Sequence, residues 1–337
     1  MRQSPKAQRL REPRPAIVGT GAYLPAKVLK NSDLEQIVET SDSWIVERTG
    51  IRERRIAAEK EFPSDMGASA ALMALKQADL GADDLDLIIV ATTTPDTLFP
   101  STACQIQQKI GARKIPAFDI QAACSGFLYG LVMAHHLVAL GSYRTVLVVG
   151  AEKLSSIVNW SDRNTCVLFG DGAGAVIIRQ SAVGGQMLAH DLGADGTQGQ
   201  VLTVPAGGSS LPLTAENIGE GLQYIHMAGK KVFRFAVDAM ESTARNCLEK
   251  AGISVEKLDY VIPHQANLRI IELLADRLNL PLKYFFTHLE RYGNTSAACI
   301  PIALHEVLTT RGIEPDEKIL LIAFGGGLTW ASALLEW

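Results

Sequence analysis

At 337 residues the chain exceeds the size at which one hydrophobic core usually suffices, and length alone suggests about two domains. Its 47% hydrophobic and 20% charged residues are ordinary for a globular protein and exclude a disordered or collagen-like chain. A net charge of −4 excludes a general nucleic-acid binder but leaves room for a local basic site facing an anionic ligand.

The first residues, MRQSPKAQRLREPRPA, are basic and hold no apolar run, so they lack a secretory signal. The stretch is short and Ser-poor for a transit peptide and reads as a flexible tail over residues 1–14. Strand and helix patterns then alternate along the chain, which predicts an α/β fold. Residues 122–141 hold no Asp, Glu, Lys or Arg and are long enough to span a bilayer. His135 and His136 interrupt them and apolar strands flank them, so they read as a helix buried in a cytosolic, non-membrane protein. Gly170, Gly172 and Ala175 satisfy the G-x-G-x-x-A pattern of dinucleotide folds. Strand-like TCVLF precedes the pattern and strand-like AVIIRQ follows where a helix is needed, so a hairpin is expected and no NAD.

The most informative feature is repetition. ALMALKQADLGADDLDLIIVA (71–91) lies over ARNCLEKAGISVEKLDYVIPH (244–264) without a gap. Leu75 and Leu248, Leu85 and Leu258, and Asp86 and Asp259 are among the identical pairs. Each copy reads as an amphipathic helix, a short acidic turn and a buried strand. A strand, a tight loop, an apolar helix and another strand follow in both copies. Two halves of one topology are expected, 15–185 and 186–337, with their loops converging where α/β proteins bind ligands. Cys124, His264, Asn294 and the glycines 325–327 would meet there.

Cys124 lies in QAACSGFLYG, after a strand and at the start of an apolar helix, where partial positive charge favours a thiolate. Five cysteines are too few for a disulfide framework and point to a reducing compartment. Cys104, Cys166, Cys247 and Cys299 sit in apolar patterns and read as core residues. His264 stands at a strand-to-helix junction, a place where a structural histidine is also common. The other six histidines read as structural or surface residues. No HExxH, CxxC or HxH spacing suggests a metal. Asn294 in YGNTSAA reads as a turn residue on its own, and the glycines after Phe324 suit either a bend or an oxyanion hole. Arg52, Arg54 and Arg55 read as a solvated charged face.

VGTGAYLP, SDSWIVERTGIRERRIA, FPSTACQIQ, AACSGF, DRNTCVLFGDGAGA, PHQANLRI, GNTSAA and AFGGGLTW together resemble the β-ketoacyl-acyl-carrier-protein synthase III family, from about Pro15 to Trp337. The resemblance implies a thiolase-like five-layered α-β-α-β-α fold built from two duplicated halves. It implies an acyltransferase that starts fatty acid synthesis by joining an acyl-CoA, acetyl-CoA first among them, to malonyl-acyl-carrier protein with loss of CO2. Cys124 resembles the nucleophile, and His264 and Asn294 the pair that promotes decarboxylation. Gly326 would complete an oxyanion hole with Cys124, beside Phe324. Thr40, Trp44, Arg48, Arg163, Phe233 and Asn267 would hold CoA, a substrate rather than a resident cofactor. Phe99 would enter the acyl pocket of a homodimer partner. Arg234, Arg269 and Arg277 would dock the acidic carrier, although Glu272 and Asp276 dilute that helix.

Papain-like proteases share the order Cys, His, Asn, but their local cysteine signature and disulfides are absent here. A degradative thiolase would need a second catalytic cysteine, for which only Cys299 is near. A relative priming polyketides or a specialised lipid shares every motif. A non-enzymatic acyl or CoA binder would lack one of the three residues.

Overall fold

A computed structural model of the chain describes residues 12–337. The tail expected over 1–14 lies mostly outside these residues, but Arg14 does not belong to it. It opens the strand Arg14–Tyr23 and pairs with Ser181.

Leu87–Ala91, LIIVA, is buried on both faces, as a run of β-branched and aliphatic residues in an interior parallel strand should be. Leu87 and Ile89 enter one core and Ile88 and Val90 another, following the two-residue period of a strand. This strand belongs to a nine-stranded sheet. Five strands form its first half: Arg14–Tyr23, Asp171–Ser181, Thr145–Lys153, Leu87–Ala91 and Ala117–Ile120. Each of the first three runs antiparallel to its neighbour, and the last two add in parallel. Gly185–Ala194, Thr329–Glu336, Lys318–Gly325 and Tyr260–Pro263 repeat that order and those directions. A lone parallel bridge from Val261 to Phe285 stands where the fifth strand would be. Among the described residues, the two half-sheets pair with each other at Ala16 with Gln186 and Ile17 with Gly185.

Helices fill the layers. Pro63–Gln77 covers the outer face of the first half, and Gly229–Ala251 that of the second. Gly126–Ala139 and Cys299–Thr310 lie between the halves in one shared core with Phe127, Leu131, Ile300 and Leu304. That makes five layers. The expected helix over 122–141 is thus real and buried, and among the described residues no helix is long and apolar enough to cross a membrane.

The sequence repeat is a repeat of structure. The turns Ala82–Asp84 and Val255–Lys257 occupy matching positions in it. So do Ala123–Ser125 and Ser296–Ala298, the single turns that lead into the two central helices. Ala123 and Ser296 even share a left-handed backbone, at φ 45 and 49.

Two expectations fail here for physical reasons. The glycines 170–174 form no hairpin: residues 163–168 turn, Phe169 makes one isolated bridge to Asn294, and Gly172 and Gly174 lie inside one strand, Asp171–Ser181. They are small because Cys299–Thr310 crosses them, and a Cβ on Gly174 would fall 2.7 Å from Ile302 N. Arg54 is not solvated; it is 0% exposed on the inner side of the strand Glu53–Ile56. Its guanidinium donates to Leu29 O, Asn31 Oδ1 and Val167 O at 3.1, 3.0 and 2.7 Å. Burial lowers its pKa to about 10, so it stays charged at neutral pH.

The central helices sit where glycine allows them. A Cβ on Gly150 would fall 2.3 Å from Ala297 O, so Gly150→Ala should overpack the junction. The expected loss is about 1–3 kcal/mol, read as a lower urea midpoint at unchanged m value. An unchanged midpoint would show that the junction yields freely.

Candidate active site

Strand Ala117–Ile120 ends one turn before Cys124, and the turn Ala123–Ser125 feeds directly into the helix Gly126–Ala139. Cys124 is buried at the floor of a cavity of about 710 Å³. His264 follows the strand Tyr260–Pro263, with its N–H donating to Ile322 O at 2.7 Å. Asn294 donates its N–H to Leu168 O at 2.8 Å and accepts from Gly170 N–H at 3.0 Å, which pins it to the segment above Arg54. Gly293 before it has φ 63, and a Cβ there would fall 2.7 Å from Leu168 O. Cys124, His264, Asn294, Phe324 and Gly326 all line this cavity, so residues 124 to 326 meet as the repeat predicts.

The sequence suggests a thiolate at the helix start, and here the structure disagrees. Burial pushes the Cys124 thiol up to about 12; the Glu152 carboxylate adds to this and a Ser296 hydroxyl opposes it. A helix terminus contributes about 0.3–2 kcal/mol to a nearby charge, whereas burying an ion costs several kcal/mol. Burial wins, and the resting group is a thiol.

His264 is neutral for the same reason, its imidazole pushed down to about 4 by burial. Its Nδ1 lies 2.9 Å from Cys299 Sγ. Burial drives the Cys299 thiol strongly up, so this sulfur keeps its proton and donates it to Nδ1. The ring proton then sits on Nε2, which makes His264 a hydrogen-bond donor. Asn294 is fixed in the same sense. Its Oδ1 accepts from Ser296 N–H at 2.8 Å, leaving the Nδ2 hydrogens to donate. Two neutral donors in a largely apolar cavity are the arrangement that stabilises negative charge forming on an oxygen.

Towards the mouth, Trp44 stands on the helix Asp42–Thr49 between two cations. Arg48 Cζ lies 4.5 Å and Arg163 Cζ 5.2 Å from its ring centre. Asn267 caps the helix Leu268–Leu278 and donates Nδ2–H to Arg48 O at 2.9 Å. Trp44, Arg48, Phe233, Asn267 and Arg269 line the cavity. Thr40 and Arg163 do not, although Arg163 reaches Glu39 O at 3.1 Å and the buried Thr40 Oγ1 lacks a partner. Arg234 is exposed outside the cavity against Phe235. Arg277 is engaged by Glu241 at 2.9 Å and Asp238 at 3.7 Å. Phe99 is 85% exposed and does not line its own chain's cavity.

Cys166 and Cys247 are core residues as expected, whereas Cys104 is exposed on the helix Thr102–Lys109. Two groups near these residues are absent from the sequence reading, Ser296 and the fully buried Glu152, while Cys299 is buried as expected and lies against His264. A carboxylate ending the otherwise apolar run TVLVVGAEK was the one available signal.

Residues 118–196 match the family described as 3-Oxoacyl-[acyl-carrier-protein (ACP)] synthase III, and residues 248–337 match its C-terminal region. A Beta-ketoacyl-[acyl-carrier-protein] synthase III of Caldanaerobacter subterraneus is 52% identical over 95% of this chain and 97% of its own. The chain belongs to the 3-oxoacyl-[acyl-carrier-protein] synthase III family. A solved synthase III from Aquifex aeolicus superposes with TM-score 0.88 at 50% identity, covering 96% of this chain and all of that one. The priming β-ketosynthase of the R1128 polyketide pathway superposes with TM-score 0.88 at 34% identity, over 98% of this chain and 99% of its own. Membership fits the five layers and the duplicated sheet.

Because burial lowers the His264 pKa, the imidazole should stay neutral from pH 7 down to about pH 5 and protonate only near 4. Nitrogen-15 NMR of labelled enzyme reads this, with the proton on Nε2. A titration near the ordinary 6.5, or a proton on Nδ1, would contradict the assignment.

Proposed function

We propose that the protein catalyses the decarboxylating condensation of an acyl-CoA primer, acetyl-CoA in the first instance, with malonyl-acyl-carrier protein. The products are a 3-oxoacyl-carrier protein, CO2 and CoA, and the reaction starts fatty acid chains. The observation that carries this reading is one cavity with Cys124, His264 and Asn294 at its floor and Trp44 with Arg48 at its mouth.

In the first half-reaction Cys124 Sγ bonds to the acyl carbon, and CoA leaves as a thiol after taking up the proton the cysteine gives up. The N–H groups of Cys124 and Gly326 hold the tetrahedral oxyanion; Gly325 packs so close that a Cβ on it would fall 2.6 Å from Cys124 N. In the second half-reaction His264 Nε2–H and Asn294 Nδ2–H hold the malonyl thioester oxygen. The bond to the carboxylate breaks, CO2 leaves, and the electron pair forms an enolate. That enolate attacks the acyl carbon, and Cys124 departs as a thiolate that takes up one proton from solvent to return to the resting thiol. Decarboxylation generates the carbanion, so no strong base is required. Phe324, beside the carboxylate, supplies an apolar wall that favours a neutral gas over an anion.

The adenine of CoA stacks at Trp44 between Arg48 and Arg163, with Thr40, Phe233 and Asn267 lining its path. CoA thioesters are substrates, and no resident cofactor or metal enters. Arg269 at the mouth suits carrier docking best; Arg234 lies further out, and Arg277 would first have to leave Glu241. We further propose a cytoplasmic homodimer in which the exposed Phe99 enters the partner's acyl pocket. A second reading, priming of a polyketide chain, is favoured by the likeness to the R1128 enzyme. The higher identities to the synthase III enzymes of Caldanaerobacter subterraneus and Aquifex aeolicus favour the first.

A panel of acyl-CoAs with malonyl-carrier protein, read by mass spectrometry, tests the reaction and its primer. Acetoacetyl-carrier from acetyl-CoA is expected. Turnover only with longer or branched primers would favour the second reading, and no turnover with any primer would contradict both. His264→Ala and Asn294→Ala should still accept an acyl group yet lose condensation by about 10²–10³-fold. Intact malonyl turnover in either variant would remove that residue from the mechanism.

A further inference from the structure

Gln265, the residue after His264, is fully buried, and its side-chain amide makes four hydrogen bonds to main-chain groups. Nε2 donates to Pro263 O at 2.7 Å and to Phe286 O at 3.1 Å. Oε1 accepts from His288 N–H at 2.9 Å and from Leu289 N–H at 3.3 Å. Two carbonyls at one end and two N–H groups at the other leave the amide one orientation, with its full hydrogen-bonding capacity used.

The repeat explains why a side chain is needed there. Pro263 matches Val90, which lies inside an unbroken parallel ladder between Leu87–Ala91 and Ala117–Ile120. Ile88 and Thr92, on either side of Val90, donate their N–H groups to Pro116 O and Ile120 O at 3.1 and 3.4 Å. In the second half the ladder begins the same way. Phe286 N–H donates to Val261 O at 2.9 Å, beside the bridge from Val261 to Phe285. Pro263 then has no N–H to give, and the pairing stops. The Gln265 amide enters the gap. It supplies the donor that Phe286 O lacks, satisfies Pro263 O, and accepts from the N–H groups of His288 and Leu289. The chain therefore leaves the sheet at Phe286 instead of continuing as a fifth strand, and turns into the short helix Leu289–Tyr292.

That helix is held on its other side by Glu306, which accepts from Tyr292 Oη–H at 2.6 Å and from Arg291 at 2.9 Å. Gly293 N–H closes the turn on Leu289 O at 2.9 Å, and Asn294 follows. One helical turn thus separates Asn294 from an amide that is itself one residue from His264.

We propose that Gln265 is a positioning residue that sets the two malonyl-site donors in register, its amide tying the strand end that carries His264 to the turn that carries Asn294. Both donors must point to one oxygen, and a displacement of about 1 Å costs on the order of 10²-fold in rate. Cys124 stands in the other half of the molecule, on the turn Ala123–Ser125, and takes part in none of these bonds.

The role rests on the condensation reading, in which His264 and Asn294 serve the malonyl step and Cys124 the acyl step, so the two half-reactions are measured separately. Gln265→Glu keeps the shape and both acceptors but leaves at most one donor, and Gln265→Met keeps the length and none of the bonds. Acetyl transfer from acetyl-CoA to Cys124, read by mass spectrometry, should match the unaltered enzyme in both variants. The kcat for condensation with malonyl-carrier protein should fall by about 10²-fold in Gln265→Met and by less in Gln265→Glu, with KM for the carrier substrate unchanged. Amide hydrogen exchange at His288 and Leu289 should quicken, while that of Ala123–Ser125 does not change. A loss shared equally by both half-reactions would show a merely structural glutamine. An intact condensation rate in either folded variant would show that Asn294 needs no such tie. Each result overturns the proposal. Should Gln265→Met fail to fold by circular dichroism, Gln265→Glu decides alone on the same two rates. If the condensation reading is wrong, the unaltered enzyme fails in the primer panel, and unchanged exchange at His288 and Leu289 still overturns the tie.

Discussion

The end of a strand in each half of the molecule presses on the strand-to-helix turn of the other, and the site depends on that contact. Gly325 leaves room for the turn that carries Cys124, and Gly150 for the turn that carries Ser296 and Ala297; a side chain at either would fall within 2.6 Å of backbone. Each contact requires glycine on the strand and a left-handed residue in the turn. Two helices are thereby buried between the halves with their N-termini side by side. Cys124 stands at one, while Asn294 and Ser296 stand at the other. Duplication supplies the scaffold, and divergence supplies the chemistry, for Cys124 in one copy matches Ala297 in the other.

Burial then sets the electrical character of the site. A thiolate or an imidazolium at these positions would cost several kcal/mol, more than a helix terminus returns. The resting site is therefore a thiol, a neutral imidazole and a carboxamide. In so dry a place hydrogen bonds aimed at developing charge are strong, and the protein directs two of them by occupying the opposite atoms. Cys299 holds His264 Nδ1, and the backbone of Ser296 holds Asn294 Oδ1. The cavity walls do much of what a charged catalyst would do in water.

Much of this was legible in the sequence, and the misses share a cause. The repeat between 71–91 and 244–264 located the duplicated halves, because helix and strand periodicities survive where identities fade. Cys124 and His264 stood out because each lies at a strand-to-helix junction, and Asn294 because its loop holds the place in the second copy that the Cys124 loop holds in the first. Residue type misled where tertiary context overrides it. Arg54 was assigned to the surface for its charge, yet the alternation of Glu53–Ile56 places it inward with Ile56. The glycines 172 and 174 were assigned to a turn, yet they serve a helix that crosses them from far along the chain. Cys104 lies on the outward face of a helix that turns Thr102, Ala103 and Ile106 to the core. Glu152 and Ser296 meet only in the fold, Ser296 Oγ donating to Glu152 at 3.1 Å across a separation no local pattern spans.

The central claim is that this junction presents Cys124, and no other thiol, to an acyl thioester. Incubation with acetyl-CoA followed by peptide mass spectrometry tests it directly. The account predicts one acetyl group on the peptide bearing Cys124 and none on the peptides bearing Cys104 or Cys299. Acetylation that persists in Cys124→Ala, or that settles on Cys299, would contradict it.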